Sequence, residues 1–319
     1  MSQTFLRCQT TGNENAVEVT SLTKNFGGLI AVDRISFEVK KGEFFGFLGP
    51  NGAGKTTTIR MLTGVIKPDK GTAAVFGYDL LKQPLKTRQL MGIVPEMANA
   101  YVDLSAWDNL MLIGALYRVS KKQRTDRASK LLKKFELYER RKHVVKSFSK
   151  GMKQRLLLCM ALVSEPLILF LDEPTSGLDV ESQRLMKDII TGYNAEGTTV
   201  FLTTHNMEEA NQLCDRIAII NNGKIAAIDT PERLRLQSSG LQSIVISFDK
   251  PVSTEELLRI KGIEKAVKMG DKLKMYVDET SGVIDALVDY ARLKEMKIIA
   301  INTLAPSLED VFLKLVKRS

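Results

Sequence analysis

The chain has 319 residues, 44% apolar and 26% charged, a composition that suggests about two soluble globular domains and excludes fibrous, disordered and membrane-spanning classes. Its three cysteines, Cys8, Cys159 and Cys214, are far apart without metal-ligand spacing, so a reducing compartment is expected and a disulfide framework or zinc site is not. The formal net charge is +9, concentrated between Arg118 and Arg155, where 15 Lys/Arg face three acids (Asp126, Glu136, Glu139).

Residues 1–15 read as a polar tail without the apolar core of a signal segment. Residues 17–48 read as short strands, punctuated by Gly27-Gly28 and by Lys40-Lys41-Gly42-Glu43. The apolar run Phe44 to Leu48 is expected to be a buried strand. It leads into Gly49-Pro50-Asn51-Gly52-Ala53-Gly54-Lys55-Thr56-Thr57, which fits the phosphate-binding pattern G-x-x-x-x-G-K-[ST]. Thr58-Ile59-Arg60-Met61-Leu62 continues as a helix. Glycines let the backbone wrap a polyphosphate closely, and the helix N-terminus adds a positive dipole end. Lys55 is expected to reach the terminal phosphates and the Thr56 hydroxyl to face Mg²⁺.

Helical periodicity dominates from about 98 to 163. The basic stretch within it lacks aromatic interleaving and any nucleic-acid module, so nucleic acid is not an expected partner; anionic lipid headgroups or a solvated face remain. The longest apolar stretch, Leu156 to Val163, is cut by Ser164-Glu165-Pro166 and is too short to span a bilayer. Leu167 to Leu171 is an uninterrupted apolar run, as for a strand buried on both faces. It ends in Asp172-Glu173-Pro174. An acid there lies in the crevice where such sheets bind ligands, so Asp172 is assigned to Mg²⁺ and Glu173 to the attacking water as general base. Further strands are expected over 198–203 and 216–220. The alternation predicts an α/β fold, a mostly parallel sheet wrapped by helices.

Beyond Thr230-Pro231-Glu232-Arg233-Leu234 and a linker at Ser238-Ser239-Gly240, a separate unit is expected. It reads as a strand (243–249), a helix (253–261), strands (264–269 and 272–278), a helix (281–294) and a strand (297–303), the ferredoxin-like order. Positions 308, 311, 312, 315 and 316 place apolar residues on one face of a last helix opened by Pro306.

Over roughly residues 16–235 the chain resembles the nucleotide-binding subunits of ABC transporters, with a helical insertion at about 97–163. The resemblance implies a P-loop ATPase that uses ATP and Mg²⁺. It implies that Phe26 stacks on adenine and that Ser149-Lys150-Gly151-Met152-Lys153-Gln154-Arg155 is the signature segment. It makes Ser176-Gly177-Leu178-Asp179 the D-loop and His205 the switch histidine that meets the γ-phosphate. Ser149 and Gly151 would open a helix whose hydroxyl and free N–H groups face an anion. In the family, two chains pair head to tail, the signature of one covering the ATP of the other. With one copy of each motif, this chain is expected to dimerise with itself or a related ATPase. Two positions depart from the family pattern: Lys150 stands where a glycine is usual, and Glu96, in Gly92-Ile93-Val94-Pro95-Glu96, where glutamine is usual. An oxygen ligand is kept at Glu96, which can still meet Mg²⁺.

The C-terminal unit, 241–319, ends in Pro306-Ser307-Leu308-Glu309-Asp310-Val311-Phe312, a segment similar to that of ABC-2-type exporter ATPases. This implies integral-membrane permease subunits encoded separately, export as the direction, and a place at the cytoplasmic face of the membrane. The accessory unit would brace the dimer or regulate it. The alternative is a soluble ABC ATPase acting on ribosomes or DNA, but such relatives carry two nucleotide domains or a long coiled-coil insertion.

Overall fold

A computed structural model describes residues 14–97, 100–237, 242–277, 280–304 and 307–317. Residues 1–13 of the expected tail, with Cys8, the expected linker Ser238-Ser239-Gly240, and Pro306 lie outside the described residues.

Strands β1 (Asn15–Phe26) and β2 (Leu29–Lys40) run 12 residues each, where short strands were expected. The apolar alternation breaks because Ser21 and Arg34 adopt φ of 49° and 50°, and the pairing register shifts between Val19 and Leu22. Such bulges interrupt the period of two without ending the strand. With β4 (Lys70–Val75) and β5 (Tyr78–Asp79) they form an antiparallel sheet of order β2-β1-β4-β5.

The second sheet contains β3 (Phe44–Leu48), β6 (Met91–Val94), β7 (Ile168–Asp172), β8 (Thr199–Thr204), β9 (Arg216–Asn221) and β10 (Lys224–Asp229), in the order β10-β9-β3-β8-β7-β6. Pairing is parallel from β9 through β3, β8 and β7 to β6. Every residue of β3, β7 and β8 is buried, which is why these strands read as continuous apolar or small runs. Phe201 on β8 lies 5.5–6.0 Å, centroid to centroid, from Phe37, Phe45, Phe47 and Phe170. Phe37 belongs to β2, so this aromatic cluster joins the two sheets face to face. Each such pair adds about 1 kcal/mol beyond the area it buries.

Helix α1 (Lys55–Leu62) follows β3, and α2 (Pro84–Gln89) precedes β6. The helical insertion holds α3 (Ala106–Leu116), α4 (Lys121–Lys134) and α5 (Lys150–Leu162). Each starts at a serine cap: Ser105 accepts from the N–H of Asp108, Ser120 from Gln123 and Ser149 from Met152. Trp107, in the first turn of α3, donates its backbone N–H to the Arg141 carbonyl at 2.8 Å. Part of the basic stretch is used internally: Lys133 and Arg141 flank the Tyr138 ring at 4.9 and 4.1 Å, and Lys134 covers Tyr193 at 4.4 Å. Helices α6 (Val180–Ala195) and α7 (Met207–Leu213) follow β7 and β8. Among the described residues no helix is long and apolar enough to cross a membrane.

The chain divides into two compact units, residues 1–228 and 229–319. The second holds α8 (Pro231–Gln237), β11 (Gln242–Phe248), α9 (Thr254–Leu257), β12 (Ile263–Met269), β13 (Lys272–Val277), α10 (Thr280–Leu293), β14 (Ile298–Leu304) and α11 (Leu308–Lys317). Its antiparallel sheet, β12-β13-β11-β14, is the ferredoxin-like arrangement. Helix α9 is shorter than expected over 253–261, because beyond Leu258 the backbone bonds tighten to three-residue turns, Arg259 N–H to the Glu256 carbonyl (3.3 Å) and Ile260 N–H to the Leu257 carbonyl (3.0 Å). Ile244, Ile246, Met275, Val277 and Leu287 form a core of its own.

On α11, Leu308, Val311 and Phe312 are buried and Leu315 is half-buried, while the side chain of Val316 lies outside the description. The polar positions explain the rest of this segment. Asp310 accepts from the Ser307 hydroxyl (2.6 Å) and N–H (2.9 Å), and Lys274 on β13 reaches it at 3.3 Å. Burial pushes the Asp310 carboxyl up, but the Ser307 donors, the Tyr276 hydroxyl and the Lys274 ammonium outweigh it and hold the group below the usual carboxylate range. A depressed carboxyl stabilises the fold above its unfolded value of about 3.9, and that contribution is lost as pH falls through the folded value. Asp310→Ala should therefore cost the C-terminal unit about 3 kcal/mol at neutral pH, read by urea unfolding, with the deficit shrinking below about pH 4. An unchanged midpoint would remove this pair as the anchor of α11.

Candidate active site

The C-terminal ends of three parallel strands lie at one level: Leu48 pairs with Thr204 and Asp172 with Thr203. The segments leaving β3, β7 and β8 therefore emerge side by side, at the end of the sheet where α/β proteins bind ligands. β3 delivers the loop Gly49–Gly54, β7 delivers Glu173 and β8 delivers His205.

The loop packs against backbone. A Cβ at Gly49 would lie 2.5 Å from the Ile220 carbonyl, and one at Gly54 would lie 2.5 Å from the Ala31 carbonyl. Gly54 also adopts φ 107° at the head of α1. As a glycine it puts no side chain over the first-turn N–H groups of Lys55, Thr56 and Thr57. Ala53 donates to the Pro50 carbonyl (3.2 Å), and the Gly223 N–H, in the turn from β9 to β10, donates to the Ala53 carbonyl (3.0 Å). The result is a cavity of about 270 Å³ lined by Ala31, Pro50, Asn51, Gly52, Gly54, Lys55, Thr56, Thr57, Glu96 and Glu173.

Charges converge on this cradle. Lys55 Nζ donates to the carbonyls of Gly49 (2.7 Å) and Pro50 (3.2 Å) and lies 3.3 Å from Glu173 Oε1. Both side chains are buried. Glu173 Oε2 lies 2.7 Å from Nδ1 of the half-exposed His205, while among the described residues Oε1 has no hydrogen-bond partner. Glu173 adopts φ 50°, rare for a residue with a Cβ, and its N–H donates to the Thr203 carbonyl at 3.1 Å. A backbone held in that region costs about 1 kcal/mol and persists only where its surroundings fix it. Asp172 Oδ1 accepts from the Thr203 hydroxyl (2.5 Å) and lies 3.4 Å from the Thr56 hydroxyl.

Thr56 and Asp172 form a pair of hard oxygen donors at the mouth of a phosphate-sized cradle. Mg²⁺ takes such a set, one carboxylate and a hydroxyl with phosphate oxygens and water completing the shell. Among the described residues no group of three His, Cys, Asp or Glu could form an all-protein metal cage. The donor set therefore fits a metal that arrives with a polyphosphate.

The expected site residues fall into two sets. Asn51, Gly52, Gly54, Lys55, Thr56, Thr57, Glu96 and Glu173 line the cavity, with Gly49, Ala53, Asp172 and His205 in direct contact with that group. Ser149, Gly151 and Asp179 form the second set. A Cβ on the buried Gly151 would meet the Ser182 hydroxyl at 2.8 Å, and Asp179 accepts from the Ser182 N–H (2.8 Å) and hydroxyl (3.0 Å). Those hydrogen bonds, the backbone one foremost, hold the Asp179 carboxyl below the usual range. The Lys150 ammonium rests against Gly177 of the same loop. Phe26 is half-exposed, with the Lys24 ammonium 5.3 Å from its ring centroid, and is not among the lining residues. Sequence reasoning missed Thr203 and Ala31. Thr203 stands beside Asp172 only through parallel register; its sequence signal is a hydroxyl closing an apolar strand.

A larger cavity, about 560 Å³, opens at the N-terminal ends of β7 and β8, between Arg127, Lys130 and Lys134 of α4 and Tyr193 and Glu196. The Arg127–Glu165 ion pair lies in its lining, and it holds none of the motif residues.

Comparison with known proteins agrees with the geometry. Residues 32–176 match the ABC transporter family, and residues 230–316 match the C-terminal domain of DrrA1-3-like ATP-binding proteins. The chain is 37% identical over 305 residues to the Nod factor export ATP-binding protein I of Paraburkholderia xenovorans, covering 96% of this chain and 98% of that one. It is 35% identical over 305 residues to the daunorubicin/doxorubicin resistance ATP-binding protein DrrA of Streptomyces peucetius, covering 94% and 92%. A solved ATP-binding cassette, dimeric with ADP and phosphate, superposes with a TM-score of 0.62 at 27% identity, covering 67% of this chain and 98% of that chain.

Two glycine substitutions separate close packing from backbone strain. At Gly52 (φ 81°) nothing lies within 4 Å of an added Cβ, whereas at Gly54 the Ala31 carbonyl blocks it. Gly52→Ala is expected to lose about 1 kcal/mol, and Gly54→Ala about 2 kcal/mol or more together with nucleotide binding. Urea unfolding and titration with a fluorescent ATP analogue check both; equal losses at the two positions would contradict the packing argument.

Proposed function

The chain belongs to the ABC transporter family of ATP-hydrolysing subunits, and from that premise we propose that it powers export through a separately encoded permease of the ABC-2 type, as half of an ATP-sandwich dimer. The observation that carries the catalytic assignment is the Glu173 carboxylate, buried and shared between Lys55 at 3.3 Å and His205 at 2.7 Å. Lys55 and the first-turn N–H groups of α1 hold the terminal phosphates. Thr56 and Asp172 hold Mg²⁺, with Glu96 within reach of the same cavity. Bound there, the ion supplies charge neutralisation to the phosphate oxygens. Glu173 orients the attacking water and accepts its proton, and His205 fixes that carboxylate and reaches the γ-phosphate.

The second set supports the dimer. Ser149, Gly151 and Asp179 stand at helix N-termini outside the described lining of the cavity, which supports a role against the nucleotide of a second copy. Phe26, exposed at the end of β1, stacks on the adenine. For the permease we assign the face beside Glu96, where Met97, Tyr101, Val102 and Val144 are exposed and apolar. Ser105 bridges Val144, and Lys146 donates to the Val102 carbonyl at 2.8 Å, so Val102 and Val144 lie on adjoining segments. The protein then sits at the cytoplasmic face of the membrane, held by its partner, with the basic helices near anionic headgroups.

Lys55→Ala and Glu173→Gln should each lower Mg²⁺-dependent ATP turnover by about 10²-fold or more, and unchanged turnover in either refutes its role. Glu173→Gln with ATP is expected to elute as a dimer; a strictly monomeric profile at high protein and ATP argues against the sandwich. Purified from its native membrane in mild detergent, the tagged chain is expected to bring a polytopic protein at about one-to-one stoichiometry. Recovery with ribosomes or nucleic acid instead would favour the soluble alternative.

A further inference from the structure

The loops that present Glu173 and His205 are joined behind the site by a residue with no part in the chemistry. Glu209, in the first turn of α7, is 1% exposed. Its Oε1 accepts from the Thr175 hydroxyl at 2.7 Å, and its Oε2 accepts from the Thr204 hydroxyl at 2.9 Å. Thr175 lies two residues after Glu173, and Thr204 immediately precedes His205. One carboxylate thus ties the segment leaving β7 to the segment leaving β8.

The surroundings are built for that carboxylate. Glu209 donates its N–H to the Asn206 side chain at 3.1 Å, so Asn206 caps α7 and fixes the turn that carries Glu209 inward. Asn206 donates its own N–H to the Thr204 hydroxyl at 3.0 Å, which orients the Thr204 proton toward Glu209. The helix N-terminus favours a negative charge at this place. Among the described residues Glu209 forms no ion pair with Lys, Arg or His. Its two oxygens are met by hydroxyl donors from two different loops, and a buried polar network satisfied in this way holds its members in place.

We propose that Glu209 is a positioning residue for ATP hydrolysis, fixing the Glu173–His205 pair at its 2.7 Å separation by clamping Thr175 to Thr204. The proposal rests on the assignment of Glu173 and His205 above. Glu173 has the strained φ of 50°, so its carboxylate direction depends on restraints from both sides. The Thr203 carbonyl restrains it from one side, and the Thr175–Glu209 contact from the other. Loss of the clamp lets the two loops separate, and displacement of about 1 Å at a reacting group lowers turnover about 100-fold while leaving the phosphate cradle intact.

The test uses the full chain and ATP. Glu209→Ala should lower kcat by about 10- to 100-fold while KM for ATP changes less than about threefold. Glu209→Gln should recover most of the loss, because an amide accepts from one threonine and donates to the other. In a His205→Ala background, Glu209→Ala should add little, since the two act through one contact. Thr175→Val and Thr204→Val should each lower kcat and be less than additive together; these milder variants carry the test if Glu209→Ala does not fold. Full kcat in Glu209→Ala, or full additivity with His205→Ala, overturns the proposal. If Glu173→Gln retained full turnover, the underlying assignment would fail first, which separates the two outcomes.

Discussion

Everything at the site depends on the parallel register of β3, β8 and β7. Parallel pairing with no offset between Leu48 and Thr204, and between Asp172 and Thr203, brings three chain segments to one edge at the same height. The spacing between neighbouring strands is set by main-chain hydrogen bonds, about 4.8 Å. The strand ends that deliver the phosphate loop, acid pair and histidine are therefore placed by main chain, and side-chain contacts act only on the segments beyond them. A one-residue slip of β7 would turn Asp172 to the opposite face and separate it from Thr56.

That register is protected by burial as well as by the main-chain ladder. Phe37, Phe45, Phe47, Phe170 and Phe201 fill the space between the sheets, so the strands that carry the chemistry cannot slide without opening a void. The phosphate loop is fixed from its far side by backbone: Ala31, Ile220 and Gly223 press against or bond to Gly49, Ala53 and Gly54. The antiparallel sheet thereby does more than cover the core, since Ala31 of β2 closes one wall of the cavity.

Much of this was legible in the sequence because local chemistry decided it. The phosphate loop needs glycines at two tight backbone contacts, and the apolar runs of β3 and β7 have no other place than a double-sided core. The helix start at Ser149 and the ferredoxin-like order of the second unit follow from local pattern. What could not be read depended on register or on broken periodicity. β1 and β2 looked like fragments because Ser21 and Arg34 take left-handed conformations within them. Thr203 and Glu209 acquire their partners only after β7 and β8 align. The Lys150 side chain could be placed against Gly177 only with the loop after β7 in view, and the tyrosines that take up the basic charge are distant in sequence from part of it.

The core that holds the sheets together is built from phenylalanine, and the single tryptophan of the chain stands apart from it, at Trp107 on the first turn of the helical insertion. Excited beyond the absorption of tyrosine, the protein emits from that one indole. The ATPase core is optically silent, whereas the insertion carries an intrinsic reporter next to the chain segment that leaves Glu96. A change in the surroundings of Trp107 on nucleotide binding would thus be read as a change in emission colour and lifetime, without a label and without background from the phenylalanine core.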